Sequence, residues 1–393
     1  MDAATLTLGV LAVAAIFFAT EIIPLAVTAM GAAVALGLLG VLTPKEVFAG
    51  LSNSTVVLFA GMFVIGAAMF QTGLAQWIGI AVVKKSGTNE RALMTALMLI
   101  TIILSSVSSN TATVACLMPV VIQICAAAKV PVSPQLMALA VAANVGGTIT
   151  MIGTPPNIIM LGFLDQMANI HISFFEWMTW GAIAMVVYFI ITYFILIRMF
   201  PPDVERIDGA EEFIRARVAE LGGWTRAQKN TLVCFLVAVV LWVFPGILSM
   251  TLGSTSPVLK MYNHLFPEAV AAMFGALLLF LMPINFKERQ FTLEWKSAVA
   301  GVEWGTLILF GGGLAMGGMM YKTGLSQWVG DMIVGMLGGE PSEFALVAIF
   351  CIMALLLSEL TSHTAATNMI GPLGITAAVA AGFSPVHVAI GIA

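Results

Sequence analysis

Seven of the nine residues in the stretch 105–113 carry a hydroxyl or amide group, and none of the nine is charged. Hydroxyl and amide oxygens are ligands that a small hard cation such as Na⁺ accepts, and the same groups can hydrogen-bond to an anion. Two apolar runs, residues 92–104 and 114–127, flank the stretch. An uncharged polar cluster inside apolar sequence is a candidate binding site for small ions.

The lengths of the two apolar runs predict a re-entrant hairpin over residues 92–127. Each run is too short to cross a hydrocarbon core, which takes about 20 helical residues, whereas one helix through the whole stretch would be far too long. Two short helices that meet at a polar tip near mid-membrane fit both lengths. Backbone that leaves a helix at that depth must be buried in protein or line a wet cavity.

A second break is expected in the span 136–164, where Gly153, Thr154, Pro155, Pro156 and Asn157 follow one another. Proline has no backbone N–H group and disrupts a helix interior. The sequence therefore predicts a broken helix with exposed carbonyl groups around Gly153. Three further polar residues are expected to line and support this broken span: Asn144, Thr148 and Thr150.

The chain contains an internal repeat. Residues 58–79 and 309–330 are identical at 11 of 22 aligned positions, and both contain the pattern Thr-Gly-Leu-x-Gln-Trp-x-Gly. A second polar cluster follows in register. Its members Ser358, Ser362, His363, Thr364 and Pro372 stand where the first cluster has Ser105, Ser109, Asn110, Thr111 and Pro119. Below, the first tip means residues 105–111 and the second tip residues 358–364.

The repeat predicts the domain organisation. Residues 1–200 form the first repeat, residues 201–229 a cytoplasmic linker, and residues 230–393 the second repeat, with its hairpin at about 342–380. Five full crossings per repeat is an odd number, so the second copy is expected to be inverted. The given sequence ends before a second Pro-Pro loop and a last span, so we expect either that the chain is a fragment of a longer protein or that the second repeat is incomplete.

Composition and charge placement give the class and the orientation. Hydrophobic residues make up 60% of 393 positions and charged residues 9%, so an all-α polytopic membrane protein is expected, with the lipid bilayer and not nucleic acid as its partner. In this map, 13 of the 16 lysine and arginine residues fall on one face, and only Lys45, Lys260 and Lys322 on the other. The basic face is predicted to be cytoplasmic in the cell membrane, which leaves the N-terminus outside.

Inverted repeats with broken helices that meet at mid-membrane are typical of secondary transporters. The second arm of each hairpin begins at its tip, so unpaired N–H groups and the positive end of the helix dipole suit an anion. Carbonyl groups at the end of the first arm, with serine and asparagine oxygens, suit Na⁺. Neither tip has a lysine or arginine.

At these residues the chain resembles the divalent anion/Na⁺ symporters, a family that transports dicarboxylates, citrate and sulfate. The motifs that carry the resemblance are Ser109-Asn110-Thr111 and the loop 153–157. The resemblance implies an elevator-type alternating-access symporter that acts as a homodimer. It implies Na⁺ ligands at Ser105, Ser109, Asn110 and Gly153 in the first site and at Ser358 and His363 in the second. It implies contacts with a small divalent anion from Ser109, Asn110, Thr111, Thr154, Pro155, Ser362, His363 and Thr364.

The second motif reads Ser362-His363-Thr364, so an imidazole replaces an amide. Imidazole is a poor Na⁺ ligand and can take up a proton near physiological pH, which makes H⁺ an alternative coupling ion there. Glu359 is either functional or a structural acceptor for nearby N–H groups.

Three other functions remain to be weighed. An ion antiporter or an arsenite-type efflux protein of the same broad superfamily is the alternative within transport. An intramembrane enzyme would need a nucleophile with a base, or a metal cluster, and the spans have no such set. A passive channel has no need of inverted hairpins.

Overall fold

The computed structural model describes residues 2–83, 89–128, 130–201, 219, 222–253, 255–338 and 341–393. This part of the chain forms 19 α-helices, one 3-10 helix (Gly50–Ser52) and one two-stranded antiparallel sheet. The first ten helices are α1 Ala3–Thr20, α2 Leu25–Leu38, α3 Pro44–Ala49, α4 Ser54–Gln71, α5 Leu74–Val83, α6 Glu90–Ser105, α7 Asn110–Ala128, α8 Val132–Gly147, α9 Pro155–Ala168 and α10 Phe174–Met199.

The remaining helices are α11 Arg226–Leu252, α12 Pro257–Leu265, α13 Glu268–Leu281, α14 Trp295–Gly301, α15 Trp304–Lys322, α16 Leu325–Met336, α17 Glu343–Leu360, α18 His363–Ala380 and α19 Pro385–Ile392. The strands are β1 Pro283–Asn285 and β2 Gln290–Phe291, which pair across a tight turn. The predicted helical fold is confirmed, and this small hairpin is its one departure within the described ranges.

Five of these helices are long and apolar enough to cross a membrane: α1, α4, α10, α11 and α17. The number rises to seven if two bent pairs, α12 with α13 and α14 with α15, each count as one span. On α10 the apolar side chains of Ile183, Val187 and Phe194 are exposed, as expected for a helix that faces lipid. The described residues therefore contain several membrane-spanning helices, as the composition predicts.

Packing divides the chain into two compact units. Unit 1 comprises residues 1–60, 155–172 and 303–393, and unit 2 comprises residues 61–154 and 173–302. Unit 1 contains α9 and the second hairpin, whereas unit 2 contains the first hairpin and α8. The units follow spatial packing, so the repeat boundaries at residues 200 and 230 stay a prediction. The predicted linker 201–229 lies largely outside the described residues.

The repeated sequence folds into matching elements. In each copy a long helix ends at a Thr-Gly pair and a shorter helix follows: α4 and α5 meet at Gly73, and α15 and α16 at Gly324. The two glycines have φ values of 72° and 73°, a left-handed conformation that a side chain would strain. The helices α2 and α13 also correspond, since each has 14 residues and starts after a proline. The predicted inversion of the second copy stays a prediction.

One predicted span is shorter than expected. The sequence predicts a crossing over residues 22–42, but α2 covers only Leu25–Leu38. Pro24 occupies the position before the helix, and Gly40 adopts a φ of 73° just after it. A 14-residue helix is about 21 Å long, less than the thickness of a hydrocarbon core.

Candidate functional site

The first tip interrupts the first hairpin as the sequence predicts. Helix α6 ends at Ser105 and α7 begins at Asn110. The Ser106 and Val107 N–H groups donate to the Ile102 and Leu104 carbonyls, which closes the last turn of α6. The Ser109 hydroxyl then accepts from the Ala112 N–H at 3.3 Å, a capping bond that starts α7. Four residues, 106–109, thus join the two arms.

Three oxygen atoms meet at this tip. The Ser105 hydroxyl lies 2.7 Å from Asn110 Oδ1 and 2.8 Å from the Ala143 carbonyl oxygen on α8. A serine hydroxyl has one proton, so only one of these two oxygens can receive it. Ser105 is fully buried. The cluster therefore has more acceptors than hydrogens in a buried position, which is the environment that a small cation fits.

The amide of Asn110 continues the network towards the surface. Its Nδ2 donates to Asn144 Oδ1, one residue beyond Ala143, at 3.2 Å. Asn110 and Ser109 are half-buried, whereas Asn144 and Thr111 are exposed. The polar face of the tip thus runs from the buried Ser105 to an accessible surface.

Two adjacent glycines let α8 approach the tip. A Cβ at Gly146 would lie 2.5 Å from the Ile102 carbonyl oxygen, and one at Gly147 would lie 2.6 Å from Asn110 Oδ1. Both distances are too short for a real Cβ contact, so a side chain at Gly146 would push α8 away from the Ile102 backbone, and one at Gly147 would displace the Asn110 amide. Sequence reasoning missed Ala143, Gly146 and Gly147, although the pair of glycines in an apolar span was a usable signal.

The break after α8 is also confirmed, between Gly147 and Pro155. The Thr150 hydroxyl donates to the Ser106 carbonyl, which ties the break to the first tip. Gly153 is buried, and a Cβ there would lie 2.6 Å from the Gly147 carbonyl oxygen. Thr154 is half-buried, and Pro155 starts α9 at its first position, where no N–H group is needed.

The carbonyl groups of the break are partly occupied. The Trp177 indole N–H donates to the Thr148 carbonyl at 3.3 Å, and the Gly153 N–H donates to the Thr150 carbonyl at 3.2 Å. Thr148 and Thr150 therefore support the broken span, as expected from the sequence.

The second tip has a different arrangement. Only Thr361 and Ser362 separate α17 from α18, and Ser362 caps α18 by accepting from the Ala365 N–H at 3.1 Å. The Ser358 and Thr361 hydroxyls donate to carbonyls of their own helix, at Leu355 and Leu357. His363 and Glu359 are exposed, and Thr364 is half-buried.

The structure thus brings together some of the predicted Na⁺ ligands. Ser105 and Asn110 are in direct contact, Ser109 caps the helix that Asn110 begins, and Gly153 contacts Gly147 beside them. Ser358 and His363 share no hydrogen bond within the part of the chain that the structure describes. Across those same residues no group of three His, Cys, Asp or Glu could hold a metal ion. The ligand set at the first tip is therefore neutral oxygen, which suits Na⁺ better than a transition metal.

Helical hairpins and a broken helix with oxygen-lined ends define a class, the polytopic transporters that bind ions on interrupted helices. Residues 15–393 match the model of the family described as CitMHS, citrate transporter. The chain therefore belongs to this citrate transporter family, among the divalent anion/Na⁺ symporters that its motifs resemble. The family consists of transporters and not of enzymes, as the sequence predicts.

Similar proteins agree with this assignment. The chain is 32% identical over 386 residues to the sodium-dependent dicarboxylate transporter SdcS of Staphylococcus saprophyticus, covering 94% of this chain and 72% of that protein. It is 31% identical to SdcS of Staphylococcus aureus strain USA300, with the same coverage. The structure of the Alcanivorax borkumensis YdaH transporter is similar with a TM-score of 0.59 and 14% identity, over 90% of this chain and 75% of that one. The last similarity concerns the fold alone.

Proposed function

We propose that the protein is a secondary active transporter that couples the movement of a small dicarboxylate to Na⁺ across the cell membrane. The observation that carries the proposal is the buried oxygen cluster of Ser105, Asn110 and Ala143, which has one hydrogen too few for its contacts. The sodium-dependent dicarboxylate transporters that share about a third of its sequence support the same function. Sulfate is a second divalent anion of suitable charge.

In the proposed first site, Na⁺ is bound by oxygens of Ser105, Ser109 and Asn110, with a carbonyl near Gly153 and that of Ala143. The residues proposed to contact the substrate are Ser109, Asn110, Thr111, Thr154 and Pro155 in the first repeat, and Ser362, His363 and Thr364 in the second. The N-terminus of α7 adds N–H groups and the positive end of a helix dipole. A cation bound beside these groups attracts the anion, since charges in a poorly screened site interact strongly.

The second cation site, at Ser358 and His363, is proposed to use either Na⁺ or H⁺. The supporting observation is that His363 is exposed at the start of α18, where a ligand or a proton can reach it. Uptake into proteoliposomes driven by a pH gradient alone, without Na⁺, would favour H⁺. His363→Asn should then lose the uptake driven by H⁺ and keep the uptake driven by Na⁺, whereas His264→Asn, an exposed control, should change neither.

The proposed orientation is supported by contacts within each unit. In unit 1, Lys322 contacts Glu46 beside Lys45, as the charge map requires of two loops on the outer face. In unit 2, the Gln71 side chain donates to the Ser297 carbonyl at 3.0 Å, which joins ends that the map assigns to the cytoplasm. The charge map also predicts that Gly87 lies in the cytoplasm and Gly339 outside, and both residues lie outside the described part of the chain.

An elevator mechanism in a homodimer is proposed from the resemblance and the paired hairpins. The hairpins and broken helices would move as a block that carries the site from one side of the membrane to the other. The helix pairs α4–α5 and α15–α16, each bent at a glycine, would belong to the fixed scaffold. A disulfide cross-link between a hairpin and this scaffold should stop transport by locking the site open to one side of the membrane.

The experiment that tests the function measures uptake of radiolabelled succinate, citrate and sulfate into proteoliposomes. Uptake should require an inward Na⁺ gradient, saturate with substrate and show counterflow. An exchange of Na⁺ for H⁺ with no anion would instead favour the antiporter alternative. Arsenite movement in the same vesicles would favour an efflux protein.

A further inference from the structure

The carboxamide of Asn110 makes a different hydrogen bond at each of its two polar atoms. Its Oδ1 faces the Ser105 hydroxyl at 2.7 Å, and its Nδ2 faces Asn144 Oδ1 at 3.2 Å. Gly147 lies against the flat side of the amide, because a Cβ there would be 2.6 Å from Oδ1 and 3.1 Å from Nδ2. The amide therefore sits in a slot on α8 with two possible orientations, related by rotation of its terminal torsion.

The two orientations differ in their hydrogen count. With Oδ1 turned towards Ser105, the hydroxyl has two acceptors, Oδ1 and the Ala143 carbonyl, and a single proton for both. In the reversed orientation, Nδ2 would donate to the Ser105 oxygen, and the hydroxyl would donate to Ala143. Every contact among Ser105, Asn110 and Ala143 would then contain a hydrogen. The reversed amide completes this cluster without an ion, whereas the observed one leaves two oxygens facing a single hydroxyl proton, an arrangement that favours a cation.

Reversal of the amide therefore competes with cation binding, and Asn144 opposes it. In the observed orientation Asn144 Oδ1 accepts from Nδ2, and reversal would turn the Asn110 oxygen towards that acceptor. Two facing oxygens without a hydrogen repel each other, so reversal of the Asn110 amide requires the Asn144 amide to turn as well, out of its observed orientation. Asn144 is itself exposed, so it can be replaced without disturbing the packed interior.

We propose that Asn144 is a positioning residue that sets the cation affinity of the first tip by holding the Asn110 amide with its oxygen turned inward. The inference rests on the proposed Na⁺ coupling and adds a residue outside the Ser-Asn-Thr motif. Asn144 acts through Asn110 and needs no contact with the ion. Replacement of Asn144 should weaken Na⁺ binding and leave the transport rate at saturating Na⁺ unchanged.

Two variants test the inference from opposite sides. Asn144→Leu keeps the size of the side chain and removes the acceptor, so the Na⁺ concentration for half-maximal effect should rise roughly three- to tenfold, the value of one hydrogen bond. Asn144→Asp can only accept from Nδ2, so that concentration should fall below the wild-type value. Ala140→Asp, one turn away on the exposed side of α8, controls for the added charge and should shift the half-maximal Na⁺ concentration less than twofold.

The readouts are Na⁺-dependent thermal stabilisation of the purified protein, against choline chloride, and Na⁺-dependent succinate uptake. A purely structural role for Asn144 would lower the maximal rate at every Na⁺ concentration, and not shift the half-maximal concentration. If the wild type responds to Na⁺ and the half-maximal Na⁺ concentration of Asn144→Leu stays within twofold of the wild-type value, the inference is wrong and the proposed function stands. If the wild type itself ignores Na⁺ in both assays, the proposed function and the inference are both wrong.

Discussion

The two hairpin tips have similar sequences and different structures. At the first tip, Ser105 and Asn110 make hydrogen bonds to another helix, α8, through Ala143 and Asn144. At the second tip, Ser358 and Thr361 bond to their own helix, and Ser362 caps the next one. Ser105 is fully buried, whereas His363 is exposed. Hydroxyl groups at equivalent positions thus form an oxygen cluster in one case and local caps in the other.

The difference shows that a motif supplies ligand types, whereas tertiary packing decides whether they converge. Serine and threonine hydroxyls in a helix donate to the carbonyl three or four residues earlier unless a neighbouring element supplies another acceptor. At the first tip the glycines of α8 let such a neighbour approach. We therefore expect the first tip to dominate Na⁺ binding.

The largest effect should come from removing the amide at the first tip. Asn110→Ala is expected to abolish Na⁺-dependent uptake because it removes an oxygen ligand and the partner of both Ser105 and Asn144. The loss is measured as Na⁺-dependent uptake into proteoliposomes, and Asn263→Ala, which removes an exposed amide on α12, is the control. If Asn110→Ala kept the wild-type Na⁺ dependence, the polar residues of the first tip would serve helix packing and not Na⁺ binding.

The next effect separates the two tips directly. Ser105→Ala should raise the Na⁺ concentration for half-maximal uptake on the order of tenfold, since the lost hydroxyl serves a charged ligand. Ser358→Ala should change it less, because that hydroxyl is already bound to the Leu355 carbonyl at 2.9 Å. Equal shifts in the two variants would contradict the asymmetry between the tips.

A smaller effect concerns how each hairpin packs. A Cβ at Gly146 would meet backbone atoms of Ile102 at 2.5 and 2.8 Å, so Gly146→Ala should destabilise by about 1–3 kcal/mol. At Gly374 in α18, a Cβ would meet only side-chain atoms, of Ile392 at 2.6 Å, Val388 at 2.8 Å and Phe350 at 3.3 Å. Side chains adjust more easily than backbone, so Gly374→Ala should cost less than Gly146→Ala in thermal unfolding. A larger loss at Gly374 would show that the second hairpin is the more rigid one.

The smallest effect lies at the ion pair of unit 1, away from both tips. The hydrogen bond from Lys322 lowers the pKa of the Glu46 carboxyl from 4.5 to about 2. Because the charged form is favoured in the folded protein, this contribution to stability is present above pH 4.5 and is lost as the pH falls towards 2. Melting temperatures over that pH range should fall slightly more for the wild type than for Glu46→Gln. Parallel curves would mean that the exposed pair adds nothing measurable.

Much of the fold could be predicted from the sequence. The breaks at the first tip and at Pro155 follow from apolar runs that are too short and from prolines. The break at the second tip follows instead from the internal repeat, since α17 is long enough to cross a membrane. The repeat predicts that residues 58–79 and 309–330 fold alike, and in both copies the helix is interrupted at a glycine, Gly73 or Gly324. Periodicity cannot show which carbonyl of a distant helix faces a serine, so the role of Ala143 in the first site was not predictable. The motif likewise could not show that Ser358 would bond within its own helix.

The central claim is that the first tip binds Na⁺ through the Ser105–Asn110 cluster. The most direct test is binding of radioactive ²²Na⁺ to the purified protein, compared among the wild type, Asn110→Ala and His363→Ala. We expect Asn110→Ala to lose most of the specific binding and His363→Ala to keep most of it. Binding at the wild-type level in Asn110→Ala, with loss in His363→Ala, would contradict this account.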